Sequence, residues 1–172
     1  MKLFPPIAAC AMLALAGCAS NDTSKMFCPQ PAVLQQAQTL TVFLPGRSDI
    51  GAEVTQAQIT AVAGSCTLHP AKRLLDVKLQ AGFTATNGPA NQSKPVTLPY
   101  FIAITDGETI IAKTDYSMVL NFEDGVASAT ATSKPATIEL PNDHESARTQ
   151  ILVGFEMTQD QLDYAVAHPP LP

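Results

Sequence analysis

Val77-Lys78-Leu79-Gln80-Ala81-Gly82-Phe83-Thr84-Ala85-Thr86 puts an apolar residue at every odd position and a polar residue or glycine between. Such period-two alternation marks a strand that buries one face and leaves the other in water. The same rhythm recurs along the chain. Tyr116, Met118, Leu120 and Phe122 alternate with Asp115, Ser117, Asn121 and Glu123, with Val119 as the exception. Ile151, Val153, Phe155 and Met157 alternate with Gln150, Gly154 and Glu156, with Leu152 breaking the rule. Leu40-Val42-Leu44, Ile59-Ala61-Ala63, Val96 to Ile104 and Ile138-Leu140 are further strand candidates. Near Val62 the apolar residues move from odd to even positions (Val62, Cys66, Leu68), which predicts a bulge or bend.

The turns agree with strands. Asp106-Gly107 lies between Phe101 to Ile104 and Thr109 to Ala112, the signal of a hairpin with a type I′ turn. Asn87-Gly88-Pro89 and Asp124-Gly125 mark other reversals. Two segments read differently. Gln30 to Leu40 suits a short helix after Pro31. Thr158-Gln159-Asp160-Gln161 has the spacing of a capping box, and Leu162, Ala165 and Val166 continue it as a one-sided helix. The expected fold is therefore all-β, an immunoglobulin- or fibronectin-III-like antiparallel sandwich of about seven strands with a short C-terminal helix.

The amino terminus carries a different message. Met1-Lys2 opens with positive charge, an apolar run extends from Leu3 to Leu15, and Leu15-Ala16-Gly17-Cys18 follows. This layout resembles a secretory signal peptide, and its ending resembles the lipobox of bacterial lipoproteins. The apolar run is too short to span a hydrocarbon core of roughly 30 Å, and Pro5 and Pro6 interrupt it. The resemblance implies cleavage between Gly17 and Cys18 and lipidation of Cys18. Two or more acyl chains make such anchoring stable. Ala19 and Ser20 follow the cysteine where Asp would favour retention at the inner membrane, so the resemblance implies the outer membrane.

Four blocks follow from this reading: signal peptide 1–17, lipidated tether 18–27, β-sandwich domain 28–168 and proline-rich tail 169–172. Loss of the leader removes Lys2 and no acidic residue, moving the formal charge from −5 to −6. An acidic domain argues against nucleic acid as a partner. About 155 of the 172 residues remain, room for one domain with a sizeable core. Of the four cysteines, Cys10 leaves with the leader and Cys18 takes the lipid. Cys28 and Cys66 remain, and in an oxidising periplasm they read most simply as a disulfide that staples the amino-terminal segment to the second strand.

No catalytic constellation emerges. His69 precedes a proline, His168 lies near the terminus, and His144 sits between Asp143 and Glu145 in a polar turn. Asp143-His144-Glu145 would need ligands from elsewhere to hold a metal, because adjacent loop residues point in different directions. Gly46-Arg47-Ser48-Asp49-Ile50-Gly51 is one residue too long for a nucleophile elbow and lacks the ending of a phosphate loop. It reads as a polar loop with Arg47 and Asp49 as a candidate surface pair. Tyr100-Phe101 beside Ile102 to Ile104 reads as core if central, or as a site of strand addition if at an edge.

Several phrases together resemble an uncharacterised family of alphaproteobacterial envelope lipoproteins. They are Cys28-Pro29 with Ala32-Val33-Leu34, Leu44-Pro45-Gly46, Gly64-Ser65-Cys66, Pro99 to Ala103, and Ile151 to Phe155 running into Leu162-Asp163-Tyr164. That resemblance supports the lipoprotein reading and implies no activity. The expectation is a non-catalytic envelope interaction or assembly module, without metal or cofactor, contacting the membrane through its lipid and a protein partner through a sheet edge or loops. The alternative is a carrier of a small apolar ligand or lipid between the sheets.

Overall fold

A computed structural model describes residues 26–92, 94–146 and 148–169. The segments expected as signal peptide, Gly17–Cys18 cleavage junction and tether up to Lys25, and the tail from Pro170, lie outside the described residues. Among the described residues nine strands form two sheets. The strands are β1 (Pro31–Val33), β2 (Thr39–Phe43), β3 (Glu53–His69), β4 (Leu74–Asn87), β5 (Val96–Asp106), β6 (Thr109–Leu120), β7 (Ser128–Thr132), β8 (Ala136–Pro141) and β9 (Thr149–Phe155), with one helix, α1 (Gln159–Ala167). One sheet has the order β1-β9-β5-β6; the other has β2-β3-β4-β7, with β8 also paired to β4.

The two sheets pack as an all-β sandwich. The chain passes from β4 to β5, from β6 to β7 and from β8 to β9 by changing sheets, while β7 and β8 both return to β4 and β9 returns to β5. β8 beside β4 and β9 beside β5 repeat the placing of E beside B and F beside C in an immunoglobulin sandwich, whereas β7 pairs with β4 where D would pair with E. One pairing departs from the expected antiparallel pattern: β1 runs parallel to β9.

The quoted stretch Val77 to Thr86 lies within β4, the centre of its sheet. Val77, Leu79, Ala81, Phe83 and Ala85 are all buried, as the alternation requires. They meet Leu98, Tyr100, Ile102, Ile151, Val153 and Phe155 from the opposite sheet. The Phe83 ring lies 5.0 Å from that of Tyr100 and 6.0 Å from that of Phe155. The expected parity change is also present. Ile59 pairs with Phe83 and Ala61 with Gly82, leaving Thr60 as the extra residue of a bulge. Before it Thr55, Ala57 and Ile59 point inward; after it Val62, Cys66 and Leu68 do.

Four local expectations need correction. The segment expected as a helix from Gln30 to Leu40 is instead β1, a single 3₁₀ turn at Gln35–Ala37, and the start of β2. Parallel pairing to β9 and the Leu34 N–H bond to the Val153 carbonyl at 2.8 Å outweigh a weak local helix preference. The hairpin at Asp106-Gly107 is present, but Asp106 pairs with Thr109, so Gly107 and Glu108 are the loop. Only Gly107 has positive φ, +58°, the pattern of a type II′ turn with glycine first rather than type I′. The strand expected through Phe122 ends at Leu120. Finally, β7 was not expected, because its Ser-Ala-Thr-Ala-Thr sequence offers only Ala129 and Ala131 to the core.

The amino-terminal segment is bound to both layers. Cys28 and Cys66 form a disulfide with Cα atoms 6.0 Å apart, tying this segment to β3. The Phe27 N–H donates to Asn142 Oδ1 at 3.1 Å, and its ring lies 4.6 Å from that of His144. Pro31 packs over Gly64 so closely that a Cβ there would come within 2.9 Å of it. Pro31 also opens β1, pairing with Ile151 of β9 in the other sheet.

Candidate functional site

Among the described residues strand β6 ends its sheet, bonded to β5 on one side only. Its core-facing side is anchored by Tyr116, Met118 and Leu120, and Tyr116 stacks on Tyr100 at 5.3 Å. From Thr109 to Asp115 every residue is exposed. In an antiparallel ladder alternate residues of an edge strand turn their N–H and C=O groups away from the sheet, so β6 presents a row of backbone donors and acceptors. Ile110, Ile111 and Val119 lie along it at 61, 60 and 51% exposure.

The pairing explains why two consecutive isoleucines are exposed. Ile104 pairs with Ala112 and Thr105 with Ile110, so Ile111 is an extra residue and β6 bulges there. Regular alternation would have turned one of them toward the sandwich. Beyond the bulge, Lys113 and Asp115 share the outer face with their charged atoms 3.2 Å apart. The Lys113 ammonium also pairs with Glu156 and lies 4.9 Å from the centre of the Phe101 ring. The Glu156 hydrogen bond, with further help from Asp115, pushes the lysine above its ordinary range.

A second feature is a surface groove of about 490 Å³ between β2, the following loop and α1, lined by Phe43, Leu44, Arg47, Asp160, Gln161 and Tyr164 among others. The edge of Tyr164 meets Phe43 at 5.0 Å and docks the helix. The groove's polar groups mostly satisfy each other. Arg47 makes a two-point contact to Asp49, at 2.9 and 2.7 Å, and this contact holds the carboxyl below its usual range. The Thr158 hydroxyl accepts from the Gln161 N–H, and Gln161 Oε1 accepts from the Thr158 N–H, completing the expected capping box.

The other residues singled out in the sequence are dispersed. His69, expected without a partner, meets Asp76 with Nε2 2.8 Å from Oδ2, because the β3–β4 hairpin brings the two strands together. His144 lies on Phe27, and His168 stacks on Tyr164 at 4.1 Å. Asp143 accepts the Ser146 N–H at 2.8 Å, which lowers its pKa. Among the described residues no group of three or more His, Cys, Asp or Glu side chains is placed to hold a metal ion.

Tyr100 and Phe101 lie on the central strand β5, and the free edge is its neighbour β6. Burial pushes the Tyr100 phenol up, with the Ser133 hydroxyl opposing and Tyr116 adding to the effect. The carrier reading requires room between the sheets, where Phe83, Phe155, Leu40, Ile59, Leu98 and Leu120 are packed with almost no exposure. No described helix is long and apolar enough to cross a membrane. Comparison with protein-family models, curated proteins and solved structures gave no match.

Proposed function

We propose that this chain is a lipid-anchored envelope lipoprotein, held through Cys18 at the outer membrane and facing the periplasm. It acts without catalysis, by holding a protein partner along β6. The lipobox-like Leu15-Ala16-Gly17-Cys18 supports the anchor. The observation that carries the binding role is the β6 edge, which has no partner strand among the described residues and carries exposed Ile110, Ile111 and Val119. Natural proteins blunt or cover long edge strands because these are templates for pairing with another chain. An edge left open and lined with isoleucine suits strand addition, in which main-chain bonds give affinity and side chains give specificity.

In-cell photo-cross-linking tests the reading. A cross-linker at Thr114 on β6 should form an adduct with a protein identifiable by peptide mapping. One at Thr130, exposed on the other sheet, should not. No adduct from Thr114, or equal adducts from both positions, contradicts the proposal.

A further inference from the structure

We infer that the partner of β6 is a second copy of this chain, paired antiparallel about a two-fold axis between the two copies of Thr114. This rests on the reading above that β6 takes a protein partner, and it names that partner. A two-fold axis normal to the sheet keeps each strand's outer residues on one face, so opposed residues must share parity and the axis must run midway between one residue and its own copy. With Thr114 at the axis, Lys113 stands opposite the partner's Asp115, and Asp115 opposite the partner's Lys113.

The neighbouring choices fail. An axis at Lys113 opposes two lysines, and an axis at Asp115 opposes two carboxylates; like charges directly opposite are destabilising. The register centred on Thr114 is the one that sets Lys113 opposite Asp115 at both ends.

The rest of the strand fits that axis. Thr114 meets its own copy, a favourable cross-strand pair. Ala112 stands opposite the partner's Tyr116, a small residue against a large one. The exposed Ile110 and Ile111 of the bulge come to the end of the pair where the partner's Met118 and Val119 lie, so apolar surface is covered at both ends. A lone lysine on an edge strand ordinarily discourages pairing. Here Asp115, two residues away on the same face, makes the edge complementary to itself once Lys113, which within one chain reaches back over Phe101 to Glu156, turns to the partner.

The test uses the full chain in detergent, with its association followed by sedimentation. Wild type should dimerise reversibly. Lys113→Asp and Asp115→Lys should each weaken the dimer by about tenfold or more, since each replaces two attractive pairs by two repulsive ones. Mixing the two variants should restore dimers, because every opposed pair in the mixed species is again of opposite sign. The double variant Lys113→Asp/Asp115→Lys should also dimerise like wild type. Ile110→Lys, which leaves the central charges intact, should weaken association and guards against a folding defect in the charge variants.

A wild-type chain that stays monomeric, or single variants that dimerise unchanged, overturns the inference. So does failure of the mixture and the double variant to recover. A monomer whose Thr114 cross-linker captures a different protein overturns self-pairing and leaves the interaction role standing. A monomer with no adduct at Thr114 overturns both.

Discussion

Cys28 and Cys66 join the segment that enters the domain to the half of β3 that extends beyond β2, which pairs only with residues up to Gln58. The segment then reaches β9 in the other sheet, so the bridge sits where the two layers are tied together. Segment and disulfide cover this side of the sandwich, while β6 remains open on its own sheet.

Loss of this bridge should cost substantial stability. The cysteines are 38 residues apart, and the chain-entropy model gives about 4 kcal/mol for a loop of that size. Cys66→Ser, or reduction of the purified protein, should lower the melting temperature accordingly. An unchanged melt would count against the staple.

Gly88→Ala should be among the most damaging single-methyl changes. A Cβ at Gly88 would lie 2.2 Å from the Glu53 carbonyl oxygen, and the Gly88 N–H is bonded to the Val54 carbonyl at 2.9 Å. The obstacle is backbone rather than a flexible side chain, and the hydrogen bond to Val54 holds Gly88 against it, which leaves little freedom to relax. Overpacking of this kind costs about 1–3 kcal/mol, measurable by denaturant unfolding.

Thr105→Val should leave stability unchanged or raise it by up to about 1 kcal/mol. Thr105 is buried in β5, and its hydroxyl has no hydrogen-bond partner among the described residues. Valine keeps the shape and removes the unsatisfied group. A drop in the unfolding midpoint would show that the hydroxyl is bonded in solution.

The Arg47–Asp49 contact should be visible as a titration shift. In the folded protein the Asp49 carboxyl is depressed, so the pair's contribution is present above the unfolded carboxylate value and lost as pH falls through the folded one. Arg47→Ala should move the Asp49 midpoint, followed by NMR, upward toward that of an ordinary carboxylate. Both groups are exposed, so the melt should barely change.

Replacing Cys18 with Ser should block lipidation and lipoprotein-type cleavage, detected by mass spectrometry of the amino-terminal peptide from isolated membranes. Normal processing of that variant would refute the proposed anchor.

Much of the architecture was legible where burial leaves a periodic mark. β4 and β9 each pack one face against the other sheet, so alternation identified them, and the parity switch located the Thr60 bulge to within two residues. Elements held by partners rather than by their own composition were not legible. β1 is three residues long and exists because β9 lies beside it. β7 turns only alanines inward. The candidate site was legible in part: Thr109 to Ala112 read as a hairpin arm, but whether an arm is central or at an edge depends on the order of strands across the sheet. The His69–Asp76 pair shows the same limit. Its members are seven residues apart, and they meet because the chain reverses through the 3₁₀ turn Pro70–Lys72.

The most direct test of the central claim is residue-level amide exchange along β6 in the full chain embedded in membranes. If a partner strand occupies the edge, successive amides from Ala112 to Met118 should all be protected, because both sides of the strand are then bonded. Protection of alternate amides only, with the others exchanging at the rate of an open edge, would contradict the account.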